Sequence, residues 1–260
     1  MARRVRLDHL LVQRELAPSR ERAQALILAG AVRVGGDRAD RAAEPVPEDV
    51  EVVIEEGPRY VSRGGDKLAG ALEAFGLDVR GTIAIDVGSS TGGFTDVLLQ
   101  RGAARVHAID VGKGQLDWRL RNDPRVLVHE GVNAREGVPV EESVDLVVAD
   151  VSFISLRLAL PPALAKLRDR GDVVALVKPQ FEAGREAVGK GGLVRDPQAR
   201  ADAVVAVARD LVSRGFGVIA VAPSPIAGRE GNREIFLHAR KGADGLSAQA
   251  LADAAREAAG

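Results

Sequence analysis

Four charged residues stand at the ends of apolar runs that are typical of buried strands: Asp86, Asp110, Asp150 and Lys178. Because the carboxyl ends of parallel strands meet at one edge of a sheet and ligands bind outside that edge, we expect these side chains to lie together. A surface lysine whose stem packs on apolar groups is the alternative for Lys178. If Lys178 instead faces the ligand, the three aspartates and the lysine predict a polar, catalytic site at this edge of the sheet.

A glycine-rich turn follows the first of these strands and opens a helical run. The residues of this stretch that we expect to line a ligand site are Gly88, Ser90, Gly92, Gly93 and Phe94. Glycine tolerates backbone angles that a Cβ forbids, so such a turn lets the backbone approach a ligand closely. A strand, a glycine turn and a helix also occur together as plain packing, and the turn alone does not decide between the two interpretations.

Two aspartates narrow the choice of ligand. Asp86 stands directly before the turn, where a carboxylate would repel a pyrophosphate but would suit a cationic amine. Asp110 ends the next strand, where a carboxylate can accept hydrogen bonds from ribose hydroxyls. The turn resembles the first motif of class I methyltransferases. That resemblance implies S-adenosylmethionine as the cofactor rather than a nicotinamide dinucleotide, with Asn133 near its adenine.

From Thr82 onward, apolar strand runs alternate with helical segments. The helical segments are expected at about residues 92–101, 114–121, 155–168 and 196–213. Repeated strand–helix units imply a parallel sheet with right-handed crossovers and helices on both faces. These units predict an α/β fold, and the resemblance of the glycine turn implies a Rossmann-like class I methyltransferase with a seven-stranded, mostly parallel sheet. Its last strand, at residues 234–239, is expected to run antiparallel.

An arginine-rich module precedes this sheet. Residues 1–42 hold nine arginines against five acidic residues, although the whole chain has a net charge of −1. Two short helices, a glycine turn and a closing strand resemble the small alpha-L RNA-binding domain of a ribosomal small-subunit protein and many pseudouridine synthases. The arginines expected to contact RNA phosphates are Arg4, Arg6, Arg20, Arg22 and Arg33. A helical cap packed on the main domain is the alternative.

The segment around residues 55–60 breaks both periodicities and indicates a domain boundary. We predict an RNA-binding domain at residues 1–58, a linker at 59–64 and a methyltransferase domain at 65–260. Residues 183–195 are rich in glycine and basic residues. They predict either a mobile loop that closes over RNA or a disordered connection.

Five stretches spread over the chain carry one family resemblance: residues 62–67, 86–95, 150–155, 177–182 and 231–234. In these stretches the chain resembles the TlyA, or hemolysin A, ribosomal RNA methyltransferases of the FtsJ/RrmJ-like 2′-O-ribose group. The resemblance is strongest to the actinobacterial form and implies methylation of cytidine ribose in both ribosomal subunits. The chain has Tyr60 where the family often has tryptophan.

The same resemblance maps a catalytic Lys-Asp-Lys-Glu tetrad onto Lys67, Asp150, Lys178 and Glu234. The 2′-hydroxyl has to lose its proton as it attacks the methyl group, and Lys178 is the expected base. An ordinary lysine has a pKa of about 10.4, so a lysine base needs a second cation or burial beside it. Lys67 is the expected cation, while the two carboxylates, Asp150 also beside the cofactor, would orient the lysines and the hydroxyl.

The composition excludes several classes of site. The chain has no cysteine, which excludes disulfides, thiolate zinc sites and cysteine nucleophiles, and its four histidines lack metal-ligand spacing. No metal is therefore predicted. No apolar run is long enough to span a bilayer, so we expect a cytoplasmic protein whose partner is ribosomal RNA or a ribosomal subunit. A membrane-active cytolysin and a non-catalytic RNA-binding assembly factor are the alternatives, and the oligomeric state is left open.

Overall fold

The computed structural model describes residues 3–55, 58–228 and 231–260. The chain forms two compact units, Met1–Arg59 and Tyr60–Gly260. The stretch expected to be a linker, residues 59–64, therefore belongs to the second unit from Tyr60 onward. Tyr60 is 3% exposed, and a Cβ on Gly65 would lie 2.3 Å from its side chain. This aromatic anchor places the boundary between residues 59 and 60.

The first unit contains two helices and two small sheets. Its elements are β1 (Arg4–Arg6), α1 (Leu7–Gln13), α2 (Arg20–Leu28), β2 (Val32–Val34), β3 (Asp37–Arg38), β4 (Pro45–Pro47) and β5 (Val52–Ile54). The two predicted helices are confirmed, and Ser19 caps α2 by accepting the amide of Arg22. Strand β2 pairs with β3 and β5, and β1 pairs with β4, all antiparallel. The β1–β4 pair was not foreseen, because three-residue strands carry too little periodicity.

The second unit is a seven-stranded sheet with helices on both faces. Its elements are α3 (Arg63–Ala74), β6 (Ile83–Val87), α4 (Gly93–Gln100), β7 (Arg105–Asp110), α5 (Trp118–Arg121), β8 (Val126–Glu130), β9 (Val144–Ala149), α6 (Leu156–Ala159), α7 (Pro161–Leu164), β10 (Leu167–Val177), α8 (Pro179–Glu182), α9 (Pro197–Ser213), β11 (Phe216–Pro223), β12 (Ile235–Lys241) and α10 (Ala248–Ala259). The strand order is β11-β12-β10-β9-β6-β7-β8.

The predicted sheet is confirmed in size and direction. Strands β10, β9, β6, β7 and β8 run parallel, whereas β12 is antiparallel to both β10 and β11. Helices α3, α4 and α5 pack on one face, and α6, α7, α9 and α10 pack on the other. Alternation along β6 sends Ile85 and Val87 to the second of these faces. Asp86 consequently belongs to the face that α3 and α4 cover.

One sequence-based expectation needs revision, and the mobility or disorder expected for residues 183–195 stays a prediction. The helix expected at 155–168 is divided into α6 and α7, because Pro161 and Pro162 lack the amide hydrogens that would continue the first helix. The glycine-rich segment at 183–195 is held at its end by Asn232, which accepts the amide of Val194 at 3.0 Å and donates to the carbonyl of Gly192 at 2.8 Å. Asn232 is 2% exposed, so this part of the segment has a buried anchor.

The described residues offer neither a membrane-spanning helix nor a metal-binding cluster. Within that part of the chain, no helix combines the length and the apolar composition needed to cross a membrane. Across the same residues, no group of three or more possible metal-ligating side chains lies close enough to hold an ion.

Candidate active site

The carboxyl edge of the parallel strands gathers the charged residues that the sequence singled out. Asp86 is the penultimate residue of β6 and Asp110 is the last residue of β7, and Asp150 and Lys178 directly follow β9 and β10. These four strands are neighbours in the sheet. Asp150 also donates its amide to the carbonyl of Val87 at 3.0 Å, which joins the ends of β9 and β6. The predicted clustering at one edge is confirmed.

Glu234 reaches the same edge through the one antiparallel strand that borders the parallel set. It directly precedes β12, and the first residue of β12, Ile235, pairs with Val177 at the end of β10. Because β12 runs against β10, its beginning lies where the parallel strands end. Glu234 is therefore next to the Lys178 position in the sheet, although 56 residues separate the two in the sequence.

The tetrad residues form two lysine–carboxylate pairs. Lys67 Nζ lies 2.5 Å from Glu234 Oε2, and the two side chains are 12% and 3% exposed. Lys178 Nζ lies 2.6 Å from Asp150 Oδ1 and donates a hydrogen bond to Ser152 Oγ at 2.8 Å. The Lys178–Asp150 contact lacks hydrogen-bond geometry, and Asp150 Oδ1 accepts no hydrogen bond from the described residues. Lys178 and Asp150 therefore form an ion pair, and Asp150 Oδ1 can still accept a hydrogen bond.

Asp86 is a fully buried carboxylate with an incomplete set of donors. It is 0% exposed, and its Oδ2 accepts the hydroxyl of Thr95 at 2.7 Å. Its Oδ1 accepts no hydrogen bond anywhere in the described part of the chain. Burial raises the pKa of Asp86 to about 7, and the Thr95 hydrogen bond offsets this only in part. A buried acceptor that lacks a donor is costly to the folded state, so the site favours a ligand that brings a cationic donor.

Asp110 is held by the backbone of two turns. Its Oδ2 accepts the amide of Ser90 at 2.8 Å, and its Oδ1 accepts the amide of Gly112 at 2.7 Å. Ser90 has a φ of 48°, a left-handed conformation that is uncommon outside glycine. Each carboxylate oxygen has a second lone pair, so Asp110 can accept two hydroxyl donors in a fixed orientation.

The glycines of the turn are explained by packing against protein. Gly88 has a φ of 86°, and a Cβ there would lie 2.5 Å from the carbonyl oxygen of Asp150. A Cβ on Gly92 would lie 2.3 Å from Leu120, and one on Gly93 would lie 2.4 Å from Ser62 and 2.7 Å from the amide nitrogen of Gly65. Gly93 thus lets α3 and α4 begin side by side, and α3 carries Lys67.

Two residues expected near the cofactor have other surroundings. Phe94 is 3% exposed and packs in the core, with its ring centroid 6.1 Å from that of Phe236. Helix α4 thus turns the Phe94 side chain inward, and its contact with a ligand stays a prediction. Asn133 follows β8 and is exposed, and its amide donates to Glu136 at 2.7 Å. It lies near the same edge, because the amide of Val132 bonds the carbonyl of Asp110 at 3.0 Å.

An exposed aromatic residue beside the tetrad was missed by the sequence analysis. Phe153 is 91% exposed, and its φ of 64° is a strained value for a bulky side chain. It follows Ser152, the partner of Lys178, and its ring lies 5.2 Å from that of Phe181. The signal was the phenylalanine within the 150–155 motif, in a chain with only 3% aromatic residues.

Two side chains of α8 complete this edge. Glu182 is buried and accepts the hydroxyl of Ser155 and the amide of Leu156, each at 2.6 Å. Burial raises the pKa of Glu182, although these hydrogen bonds oppose the change. Glu182 thus ties the loop after β9 to the loop after β10. Gln180 Oε1 is buried, and among the described residues it has no hydrogen-bond partner.

Three of the five arginines expected to bind RNA share no side-chain partner with one another. Arg4 donates to the carbonyl of Pro45 at 2.6 Å, and Arg33 donates to Glu55. Arg22 is exposed, and the described residues offer its guanidinium no partner.

The other two arginines share one carboxylate. Arg6 and Arg20 both donate to Asp8, which is 0% exposed. The Arg6 guanidinium holds the pKa of Asp8 well below its usual range, and Gln24 and Arg20 add to this effect. RNA contact by all five arginines stays a prediction.

The arrangement at the sheet edge fits S-adenosylmethionine as judged from the donor set. That ligand carries a cationic α-amino group, which would complete the free oxygen of Asp86, and a ribose diol, which suits Asp110. The two lysine–carboxylate pairs stand on the same edge and are largely buried. Such an edge can bind a cationic, nucleoside-bearing ligand and can hold or accept a proton close to it.

Comparisons with known proteins agree with this geometry. Two family models match the chain, FtsJ-like methyltransferase over residues 60–241 and S4 domain over residues 5–52. The chain is 51% identical over 263 residues to the 16S/23S rRNA (cytidine-2'-O)-methyltransferase TlyA of Mycobacterium tuberculosis, covering 99% of this chain and 98% of that protein. It is 39% identical over 237 residues to Hemolysin A of Brachyspira hyodysenteriae, covering 90% of this chain and 99% of that one. A solved structure of a candidate hemolysin from Streptococcus thermophilus is 43% identical with a TM-score of 0.72, covering 99% of this chain and 96% of that one.

Proposed function

Because the chain belongs to the TlyA branch of the FtsJ-like methyltransferases, we propose that it methylates the 2′-hydroxyl of a cytidine in ribosomal RNA. S-adenosylmethionine is the proposed methyl donor, and both ribosomal subunits are the proposed substrates. Similarity to the dual-named 16S/23S relative extends over 99% of this chain, which supports the wider substrate range. Ribosomal subunits are in the cytoplasm, which is the proposed location.

The observation that carries this proposal is the Lys178–Asp150 ion pair on the edge that also contains Asp86. Lys178 is the proposed general base in its neutral amine form, which the ammonium of the ion pair reaches by releasing a proton to solvent before the ribose hydroxyl attacks. It ends an apolar strand, its side chain is 11% exposed, and it contacts only Asp150 and Ser152 by ionic or hydrogen bonds within the described chain. Asp150 can accept the ribose hydroxyl proton into a hydrogen bond and orient the oxygen toward Lys178.

The second pair supports the first. Lys67 is a cation held by the nearly buried Glu234, so it contributes positive charge without moving. A cation fixed on this edge can stabilise the negative charge that develops on the ribose oxygen as it loses its proton. Asp86 and Asp110 would hold the α-amino group and the ribose of S-adenosylmethionine. That cofactor, when bound, supplies an electrophilic methyl group, and the chain's own residues supply orientation and the acceptor for the proton.

Phe153 supports a nucleoside substrate. An exposed ring held in a strained backbone conformation beside Phe181 offers a flat apolar face next to Ser152 and Lys178. Recognition of single-stranded RNA commonly relies on stacking of a splayed base on such a ring. We propose that the target cytosine stacks on Phe153 and that Gln180 Oε1 accepts a hydrogen bond from the substrate nucleoside.

A Lys178→Ala substitution tests the assignment of the base. We expect it to abolish transfer of a tritiated methyl group to small and to large ribosomal subunits, because no proton acceptor remains at the mouth of β10. The affinity for S-adenosylmethionine, measured by calorimetry, should change less than about twofold, since the cofactor contacts lie on β6 and β7. Lys166→Ala, at the amino end of β10, is the matched control and should keep full activity.

Retained turnover in the Lys178→Ala variant would contradict the assignment. Mass spectrometry of RNA recovered from each subunit would show whether 2′-O-methylcytidine forms on both. Methylation of one subunit alone would restrict the substrate and leave the chemistry intact. Two relatives bear the name hemolysin, so leakage of lipid vesicles by the purified protein is worth measuring. Leakage by the wild type and by Lys178→Ala alike would favour a cytolysin.

A further inference from the structure

In the first unit, three side chains donate four hydrogen bonds to the buried carboxylate of Asp8. Arg6 donates from Nε at 3.0 Å to Oδ1 and from Nη2 at 2.9 Å to Oδ2. Arg20 donates from Nε at 2.9 Å and Gln24 from Nε2 at 3.0 Å, both to Oδ2. We call these four residues the Asp8 cluster. The carboxylate is inaccessible to solvent, whereas the two guanidinium side chains are 42% and 48% exposed.

The two guanidinium groups of the cluster keep most of their donors free. An arginine has five N–H donors in a rigid plane. Arg20 uses only Nε on Asp8, which leaves all the donors on its two terminal nitrogens. Arg6 uses Nε and one donor of Nη2, which leaves its Nη1 donors. The cluster therefore exposes two fixed sets of charged donors and has a net charge of +1.

Fixing these side chains before binding removes a cost that free arginines bear. Ordering a free arginine on binding costs about 0.5–1.5 kcal/mol of side-chain entropy. Arg22 lies on the same helix, is exposed, and has no described partner. Arg6 and Arg20 already have their positions set by Asp8. The plane of each guanidinium is then ready for two-point contact with phosphate oxygens.

RNA contact by Arg6 and Arg20 is already expected of this domain; we propose that Asp8 is the residue that positions both guanidinium groups to bind adjacent phosphates of the RNA backbone. The inference rests on the proposed function, in which ribosomal RNA is the substrate. Asp8 does not touch the RNA, so its contribution is the orientation of the two guanidinium groups. The site has a role in affinity and none in the chemical step.

If net charge alone determined RNA affinity, removing the charge of Asp8 would strengthen binding, whereas a positioning role predicts weaker binding. Replacing Asp8 by asparagine raises the charge of the first unit by one, and more positive charge strengthens binding to a polyanion. If Asp8 positions the arginines, the same substitution weakens binding, because the amide cannot accept from two guanidinium groups as a carboxylate does. The sign of the change therefore separates positioning from net charge.

The experiment compares Asp8→Asn with Asp49→Asn in the full-length protein, using unmethylated large ribosomal subunits as the probe. Asp49 is exposed in the same unit and has no side-chain partner in the described chain. We expect Asp8→Asn to raise Kd and KM for the subunits about tenfold, with kcat and the affinity for S-adenosylmethionine unchanged. Asp49→Asn should bind the subunits as well as the wild type or more tightly.

A second pair of variants keeps the test decisive if Asp8→Asn unfolds the first unit. Arg20→Lys and Arg41→Lys both preserve charge in the first unit, but only the first loses a bond to Asp8, because Arg41 is exposed and has no side-chain partner in the described chain. We expect a several-fold loss of subunit affinity for Arg20→Lys and little change for Arg41→Lys. Equal losses in these two variants, or unchanged or tighter binding by a folded Asp8→Asn, would overturn the positioning role. A wild-type protein that binds no ribosomal subunit would instead overturn the proposed function.

Discussion

Asp8 in the first unit and Asp86 in the second are both completely buried, yet their environments act in opposite directions. Asp8 receives four hydrogen bonds, three of them from arginines, and its pKa lies well below the usual range because of Arg6 first of all. Asp86 receives the Thr95 hydroxyl on one oxygen and nothing from the described residues on the other. Burial raises its pKa to about 7.

The difference shows that burial alone does not define what a carboxylate does. Removing a carboxylate from water costs several kcal/mol, and each hydrogen bond to the charged form returns about 1.5–3 kcal/mol. Asp8 has enough charged donors within the protein, so it can act as a fixed anchor for Arg6 and Arg20. Asp86 lacks a cationic donor, so its free carboxylate oxygen can accept a hydrogen bond from a cationic ligand.

The largest expected effect comes from removing the charge of Asp86. Asp86→Asn should lower the affinity for S-adenosylmethionine at pH 8 by about a hundredfold or more, since a charged hydrogen bond in a buried site is lost. Calorimetric titration measures this change. Asp78→Asn, an exposed aspartate of the same unit, is the control and should bind normally.

The same variant should stabilise the protein that has no cofactor. The folded pKa of Asp86, about 7, lies above its ordinary value of 3.8, so the folded state holds a proton that the unfolded state loses between those values. The free energy of unfolding therefore falls as pH rises from about 4 to 7, and above pH 7 the carboxylate costs roughly 4 kcal/mol. Asp86→Asn should raise the melting temperature at pH 8 by about 10 °C. An unchanged or lower melting temperature would contradict the unsatisfied state of Asp86.

Removing Asp8 should have the reverse effect on stability. Asp8→Ala leaves the positive charges of Arg6 and Arg20 adjacent without a counter-charge, and we expect a loss of about 2 kcal/mol in the first unit. Hydrogen exchange of the full chain, followed by mass spectrometry, should show faster exchange across residues 3–55. The exposed Asp49→Ala serves as the matched control, and equal exchange in both variants would show that Asp8 stabilises nothing.

A change of pH should separate the two carboxylates without mutation. The affinity for S-adenosylmethionine should fall about tenfold between pH 8 and pH 6, because Asp86 gains a proton as pH drops below about 7. Subunit binding should stay nearly constant over the same range, because the pKa of Asp8 is depressed and the carboxylate remains charged. A cofactor affinity that does not vary with pH would show that Asp86 is already ionised in the free protein.

The smallest expected effect concerns the only side-chain donor that the described structure gives Asp86. Thr95→Val removes the hydroxyl at 2.7 Å and keeps the shape of a residue that is fully buried. The pKa of Asp86 should then rise further, and the affinity for S-adenosylmethionine at pH 7 should fall about fivefold. The loss should shrink at pH 9, where the carboxylate is ionised in either protein. A loss of equal size at both pH values would assign Thr95 to packing alone.

The sequence was most informative about the strand ends. Alternating apolar runs placed Asp86, Asp110, Asp150 and Lys178 on one edge, and the structure confirms that placement. Periodicity carries this information because strand direction in a parallel sheet follows from repeated strand–helix units. The glycine turn was less informative. The sequence does not show whether a glycine is required because a ligand lies close to the backbone or because another part of the protein does. Here Gly92 avoids Leu120, and Phe94 is a core residue.

The sequence by itself determined the two units, the direction of the sheet and the residue types at its edge, since these depend on local periodicity and composition. Only the tertiary structure decided which charges meet. The antiparallel course of β12 brings Glu234 to Lys67, 167 positions away, and the packing of α1 against α2 gives Asp8 its arginines. Hydrogen-bond partners that are distant in sequence leave no periodic signal, so the sequence could not show that Asp8 is satisfied and that Asp86 is not.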